Sequence, residues 1–165
     1  MTLVFIDFEA SSLWSRSYPI EIGAAWIADD QVVQVADLIR RDPGWAEDWS
    51  HESATVHGIH REELARAEAA ESIARRYAQI LSGRIVISDA PEFDQHWLDR
   101  LLRLLPEPPW IKVMDFDQLV HVALSHEGQR AVYRHLTRTR APHRAGADAA
   151  RLAAAWHAGL GAIRQ

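Results

Sequence analysis

Apolar residues recur along the chain in two patterns, which together predict strands alternating with helices. Short runs rich in Val, Ile and Phe predict strands at five places: Val4–Ile6, Ile20–Ala28, Val32–Ile39, Arg84–Ser88 and Trp110–Met114. Segments with apolar residues at helical spacing predict helices: Arg61–Leu81 in one or two pieces, Asp94–Leu105, Asp115–His126, Gln129–Arg138 and Ala145–Gly159. This succession predicts an α/β fold, a mixed sheet with helices packed on its faces.

The second and third predicted strands are expected to form a hairpin. Asp29 and Asp30 separate the two apolar runs, and Asp is one of the residues that favour tight turns. Gly23 and Ala24 are small residues inside the first of these runs. We therefore expect another element to cross the sheet closely at this point.

Two carboxylates interrupt the first apolar run. Asp7 and Glu9 follow Val4–Ile6, and on a strand residues two apart point to the same face, about 7 Å apart. Two anions in one poorly hydrated space repel each other and require cations or protons. The alternative is that the strand ends at Ile6 and both acids are solvated loop residues. The stretch by itself does not decide between the two.

Two predicted helices repeat this anomaly. Asp94 lies on the helix face formed by Trp97 and Leu98, and Asp148 lies on the same face as Leu152. Each carboxylate therefore occupies a position where a core-facing apolar side chain is expected.

Four carboxylates at core-facing positions of different elements indicate one shared site. The four residues are Asp7, Glu9, Asp94 and Asp148. Such a cage suits two magnesium or manganese ions, which stabilise the attacking and leaving oxygens in a phosphoryl displacement. His143, five residues before Asp148, is then the general base that takes a proton from water.

Composition narrows the class of protein. The chain has 165 residues, 48% of them hydrophobic and 25% charged, which is typical of one globular domain. A formal charge of −5 argues against an extended, non-specific duplex binder but not against a small metal-filled site for a nucleic-acid end. The sequence contains no cysteine and no apolar run long enough for a signal peptide or membrane span. We expect a cytoplasmic protein.

Three motifs together resemble a known family. Asp7–Glu9, Phe93–Asp94, and His143 with Asp148 after four intervening residues occur in the order seen in the DEDD 3′–5′ exonucleases, in the branch that carries His. This DEDDh branch includes RNase T-like nucleases, oligoribonucleases and the proofreading exonuclease subunit of bacterial DNA polymerase III. Val56–Ile59 also matches a family segment. Each motif alone is weak, but the set is specific and covers nearly the whole chain.

The resemblance implies a fold and an activity. The family has the RNase H-like fold, a five-stranded mixed sheet with helices on both faces, here as one exonuclease domain over residues 1–165. It implies a metal-dependent 3′–5′ exonuclease that hydrolyses single-stranded RNA or DNA to nucleoside 5′-monophosphates. Two Mg²⁺ ions are the implied cofactor, with Mn²⁺ as a substitute.

The resemblance also implies a role for individual residues. The metal ligands are Asp7, Glu9, Asp94 and Asp148, and His143 is the catalytic base. The backbone at Glu9, Ala10 and Ser11 holds the 3′-terminal sugar, and Leu13 wedges against the terminal base. Val56 and His57 line the nucleotide pocket.

The sequence departs from the family at two places. Asp89 stands where Asn is usual, in a second motif that is one residue longer. Asp89 either caps the following helix or lies near the metal ions, and we favour the capping role. Gly146 and Ala147 replace the usual Leu or Asp before the last motif, and we expect this change to be without consequence.

A second class of function is a non-catalytic module that binds nucleic acid or protein on the same fold. Intact ligands and an intact base favour the enzyme, because a binding module has no need of four buried carboxylates. Many family members are dimers, so a homodimer is compatible with the resemblance, although the sequence indicates no interface. It identifies no polymerase partner and no preference between RNA and DNA.

Overall fold

A central strand carries the first motif in the computed structural model, which describes residues 2–162. It belongs to a six-stranded sheet formed by β1 Leu3–Ala10, β2 Pro19–Ala28, β3 Gln31–Arg40, β4 Glu68–Ala69, β5 Ile85–Ser88 and β6 Val113–Asp115. The strand order is β4-β3-β2-β1-β5-β6. Strands β1, β2 and β3 pair antiparallel, and the other neighbours pair parallel. The predicted mixed sheet is confirmed.

The predicted number of five strands is wrong by one. The additional strand, β4, has two residues and pairs with Ile39 and Arg40 at the edge of the sheet. It lies within Arg61–Leu81, a run rich in Ala, Glu and Arg that indicates helix throughout. Two residues are too few to produce an alternating pattern, so the sequence carries no signal for this strand.

Seven helices are described: α1 His51–His57, α2 Arg61–Arg66, α3 Ala70–Leu81, α4 Pro91–Leu102, α5 Phe116–Ala123, α6 His126–Arg138 and α7 Ala145–Gly161. The sequence pattern does not predict α1. Both ends of α1 are capped in a common way. At the N-terminus the Ser50 side chain accepts a hydrogen bond from the Ser53 amide, and at the C-terminus Gly58 adopts a left-handed conformation with a φ of 66°. Within residues 2–162, no helix combines the length and apolar character needed to cross a bilayer.

Alternation along β1 divides the interior into two cores. Val4, Ile6 and Phe8 belong to the core that includes residues of α3 and α4. Phe5 belongs to the second core, which includes residues of α5, α6 and α7. Since side chains alternate along a strand, Asp7 and Glu9 share the face of Phe5 and point toward the α7 side of the sheet.

Two glycines allow the start of α7 to contact the sheet backbone. A Cβ on Gly23 would lie 2.2 Å from the carbonyl carbon of Ala145, and one on Gly146 would lie 2.7 Å from the Cβ of Ala36. Close packing at Gly23 confirms the expectation from the sequence. A larger residue at Gly146 would have to displace α7 from β3, and the expectation that this departure from the family is harmless stays a prediction.

Replacing Gly23 by Ala should destabilise the fold, because the added methyl group meets backbone atoms rather than a flexible side chain. We expect a loss of about 1–3 kcal/mol, the usual cost of overpacking, and a melting temperature at least about 2 °C lower. Gly161→Ala is the matched control, since a Cβ there has no neighbour within 4 Å. An unchanged melting temperature for Gly23→Ala would contradict the described contact.

Candidate active site

Strand β1 presents the first two carboxylates of the site. Asp7 is paired across the strands with Gly23, and Glu9 with Glu21. Because the strand continues to Ala10, the alternative that it ends at Ile6 is excluded. Asp7 and Glu9 are partly buried side chains of a central strand.

Asp94 comes from the first turn of α4 and is completely buried. Its Oδ2 accepts a hydrogen bond from the Ser88 hydroxyl at the end of β5, while its Oδ1 is buried with no hydrogen-bond partner. The burial that helical spacing predicts is thus observed. A buried carboxylate oxygen without a donor is costly unless a cation or a proton satisfies it.

Asp148 comes from the first turn of α7. Its Oδ2 accepts a hydrogen bond of 3.1 Å from the Arg144 amide, and its Oδ1 is buried without a partner. His143 is exposed, directly precedes this turn and has a φ of 54°, a left-handed conformation that is uncommon for His. One potential ligand atom each of Glu9, His143 and Asp148 lie within 4.8 Å of one another.

Burial and mutual repulsion hold protons on this cluster. Burial, followed by the charges of Asp94 and Glu9, raises the pKa of Asp7 to about 10. Burial is also the main reason that the pKa of Asp94 rises to about 8 and that of Glu9 to about 7. The pKa of Asp148 is raised by burial, against the lowering effect of its hydrogen bond from Arg144.

These residues fit a site for hard divalent cations. All four carboxylates have raised pKa values, and two of them have a buried oxygen that no protein donor reaches. Oxygen ligands of this kind are the ones Mg²⁺ and Mn²⁺ prefer. The proximity of His143 to Glu9 and Asp148 also makes its imidazole a candidate ligand, a role that the sequence analysis did not consider.

The residues predicted to contact substrate differ in exposure. Leu13 is 68% and Val56 is 55% exposed, so both side chains are accessible to a ligand. Ala10 and Ser11 are buried. The Ser11 amide donates a hydrogen bond to the Tyr18 carbonyl, and the Ser11 carbonyl accepts one from the Ser50 amide. Ser11 therefore supports the loop that carries Leu13, and contact of its backbone with a terminal sugar remains a prediction.

His57 presents an unsatisfied donor. Its Nδ1 accepts a hydrogen bond of 3.0 Å from the Ile59 amide, which leaves the proton of a neutral ring on Nε2. Nε2 is buried without a partner, and burial lowers the pKa of His57. The ring is held edge-on by Trp49, at a centroid distance of 6.1 Å.

The capping role that the sequence favoured for Asp89 is wrong. The N-cap of α4 is Ala90, which makes no side-chain capping bond, and the Ala90 amide donates instead to the Ser88 hydroxyl. Asp89 is exposed beside the cluster, and its negative charge contributes to the raised pKa values of Asp7 and Asp94.

An ion pair between buried Glu21 and half-exposed Arg144 lies beside the cluster and is not indicated by the sequence. Glu21, 3% exposed, accepts hydrogen bonds from the Arg144 guanidinium and from the Ala145 amide. Glu21 carries the same sequence signal as Asp7, since both are acids inside an apolar strand. Its partner lies at the far end of the chain, so no local spacing indicates the pair.

Comparison with known proteins assigns the family. The sequence profile of the RNase T family, described as Exonuclease, matches residues 4–156. The chain belongs to this family of exonucleases. A search of curated proteins found no significant match.

Solved structures show the same fold. Exonuclease I from Methylocaldum szegediense superposes with a TM-score of 0.70 at 16% identity over 95% of this chain and 40% of that chain. Exonuclease X in complex with 5′ overhanging duplex DNA superposes with a TM-score of 0.64 at 20% identity, over 99% of this chain and 93% of that chain. A 3′-exonuclease that recognises the 3′ end of a histone mRNA stem-loop superposes with a TM-score of 0.66 at 13% identity, over 96% of this chain and 81% of that chain. The RNase H-like exonuclease fold is therefore confirmed.

Asp7→Asn should stabilise the metal-free protein, increasingly so as the pH rises. A carboxyl group whose pKa is higher in the folded than in the unfolded protein stabilises the fold fully when the pH lies below the unfolded-state pKa. That contribution is lost as the pH rises to the folded-state pKa. For Asp7 this window runs from about 4 to about 10. At pH 8 we expect Asp7→Asn to be at least about 1 kcal/mol more stable than the wild type, or about 2–4 °C in melting temperature.

The measurement is thermal unfolding of both proteins in chelator at pH 5 and pH 8. The difference in melting temperature should be smaller at pH 5 than at pH 8, because at pH 5 both Asp7 and its Asn replacement are neutral in the folded protein. At pH 8, Mg²⁺ should stabilise the wild type more than the variant. An Asp7→Asn protein that is less stable at both pH values would mean that the carboxylate is a structural group.

Proposed function

We propose that this chain is a metal-dependent 3′–5′ exonuclease that hydrolyses single-stranded RNA or DNA to nucleoside 5′-monophosphates. The observation that carries the proposal is the cluster of four carboxylates, which are buried or partly buried and act on one another's pKa values, with His143 beside Glu9 and Asp148, in a chain of the exonuclease family. The relatives of known structure support nucleic-acid ends as the substrate, because one is bound to DNA and another recognises an mRNA 3′ end.

The carboxylates would hold the metal ions. The residues that fit this role are Asp7, Glu9, Asp94 and Asp148. Two divalent ions bound there would supply positive charge where the attacking and leaving oxygens of a phosphodiester become negative. Because Asp94 and Asp148 project from the first turns of helices, their positions are fixed by two cores rather than by loops.

His143 would take the proton of the attacking water. Its imidazole is exposed, so water and substrate reach it, and it lies beside Glu9 and Asp148. A general base must be neutral and within hydrogen-bond reach of the proton that it accepts. The proximity of the imidazole to Glu9 and Asp148 supports this role.

The terminal nucleotide would lie between the loop after β1 and helix α1. Leu13 offers an exposed apolar side chain for the terminal base, and Val56 offers a second one. The Nε2–H of His57 is a buried donor that a nucleotide oxygen or ring nitrogen would satisfy. The loop bearing Leu13 is held in place, since the Ser12 hydroxyl donates to buried Asp48 at 2.8 Å.

The proposal predicts release of nucleoside 5′-monophosphates, one at a time, from a free 3′ end. Single-stranded RNA and DNA oligonucleotides labelled at the 5′ end should give ladders in Mg²⁺ or Mn²⁺ and remain intact in chelator. A 3′-phosphorylated substrate should be cut poorly, because its added negative charge meets the carboxylate cluster. Cleavage of a circular single strand, or full activity in excess chelator, would contradict the proposal.

His143→Ala should lower single-turnover cleavage by about two to four powers of ten, the usual contribution of a general base. Mn²⁺ affinity is measured in the same variant, because His143 lies within reach of the metal site, and it should change far less than the rate. His157→Ala is the matched control, on the helix α7 that follows His143, with its ring 3.6 Å from Asp30 at the hairpin turn. A His143→Ala enzyme with a normal rate would remove His143 from the mechanism.

A further inference from the structure

Glu21 connects the central sheet to the segment that carries His143. Its carboxylate accepts hydrogen bonds from Arg144 Nη2 at 2.7 Å and Nε at 3.1 Å, and from the Ala145 amide at 2.9 Å. The Glu21 side chain is 4% exposed, while that of Arg144 is half exposed. A buried carboxylate with three charge-assisted or backbone donors has few alternative positions, so the donors are held in place as well.

The bonding pattern argues against Glu21 as another metal ligand. It is the cross-strand partner of Glu9, so it lies next to the carboxylate cluster. Its Oε1 accepts from the guanidinium, and its Oε2 accepts from the Ala145 amide. Both oxygens are therefore engaged by the protein, in contrast to Asp94 and Asp148, each of which has a buried oxygen without a donor.

A second anchor holds the other end of the same segment. Arg151 on α7 donates through Nε to the carbonyl and hydroxyl of Thr139 at 3.2 Å, and through Nη2 to the Leu136 carbonyl at 3.0 Å. Residues 140–143, between this anchor and the contacts of Glu21, are exposed. His143 ends this short span and directly precedes Arg144, with a backbone φ of 54°.

An uncommon backbone conformation persists only where its surroundings impose it. The contacts on the C-terminal side of His143 include those of Glu21 with Arg144 and Ala145, the hydrogen bond from the Arg144 amide to Asp148, and the close approach of Ala145 to Gly23. If these contacts were lost, the short exposed span would be free to adopt other conformations, and the imidazole would leave its place beside Glu9 and Asp148.

We propose that Glu21 is a positioning residue that holds His143 beside the carboxylate cluster through Arg144 and Ala145. In this proposal Glu21 makes no contact with the substrate and acts on the reaction through the place of the imidazole, while its charge also contributes to the raised pKa of Glu9. The inference rests on the proposed function, in which His143 is the base, and it names a further residue on which that reaction depends.

The test compares Glu21→Gln in the wild-type and His143→Ala backgrounds by single-turnover cleavage with saturating Mg²⁺ and excess enzyme. Gln has nearly the shape of Glu but loses the charge that binds Arg144. We expect a rate about 10–100-fold lower in the wild-type background, less than the loss from removing a general base outright. In the His143→Ala background the same change should cost less than about twofold, because effects transmitted through one residue are not additive.

A readout independent of activity accompanies the rates. Amide exchange at Ala145 should become at least about tenfold faster in Glu21→Gln, because its acceptor is weakened. The imidazole resonance of His143, assigned from its absence in His143→Ala, should shift or broaden. If the wild type cleaves no nucleic acid, the proposed function fails, while these measurements still test the positioning.

Asp37→Asn is the matched control. It weakens an ion pair of 2.6 Å between Asp37 and Arg76 at β3, on another part of the same sheet, and should leave the rate and the His143 resonance unchanged. Should Glu21→Gln fail to fold, Glu21→Asp carries the same comparison, since it keeps the charge but withdraws the carboxylate by one methylene. Equal rate losses in both backgrounds, or unchanged Ala145 and His143 signals, would overturn the proposal.

Discussion

The burial of four carboxylates in one place is the constraint on which the rest of this structure depends. Removing such groups from water is expensive, and their mutual repulsion adds to the cost unless protons or cations compensate it. Burial raises the pKa values of Asp7, Glu9 and Asp94, so that protons compensate this cost when no metal ion is bound. A fold that tolerates this arrangement must hold the site through strong packing elsewhere, and the two cores on either side of the sheet provide that packing.

The site lies where several rigid elements meet. β1 is an interior strand with neighbours on both sides, so Asp7 and Glu9 have little freedom. Asp94 and Asp148 lie in the first turns of α4 and α7, where the positive end of the helix dipole favours a carboxylate. The Glu21–Arg144 pair adds one more connection, from β2 to the segment that carries His143. The four carboxylates are thus placed by secondary structure, and His143 directly precedes the N-cap of α7.

Local pattern predicted most of the fold and the members of the carboxylate cluster. The hairpin followed from Asp29 and Asp30, which adopt φ values of 49° and 62° at its turn. Asp94 and Asp148 were recognisable because helical spacing placed an acid on an apolar face. In each case the signal lay within about ten residues, the range over which periodicity is informative.

Features that depend on distant parts of the chain were not predictable in this way. The Glu21–Arg144 pair joins residues 123 positions apart, so no spacing rule reveals it. The need for Gly146 arises from contact with Ala36 on β3, and β4 exists because a short connection between two helices reaches Ile39. Asp89 is expected to cap α4 on local grounds, but Ala90 is the N-cap, and the Ala90 amide donates to the Ser88 hydroxyl.

Without metal, the carboxylate cluster holds protons, and bound metal ions would replace them. Isothermal titration of the protein with Mg²⁺ or Mn²⁺ at pH 7, in buffers of different ionisation enthalpy, measures the protons released on binding. Because the pKa of Asp7 is about 10 and that of Asp94 is about 8, we expect release of about one to two protons per protein. Metal binding without proton release, or no binding at this pH, would contradict it.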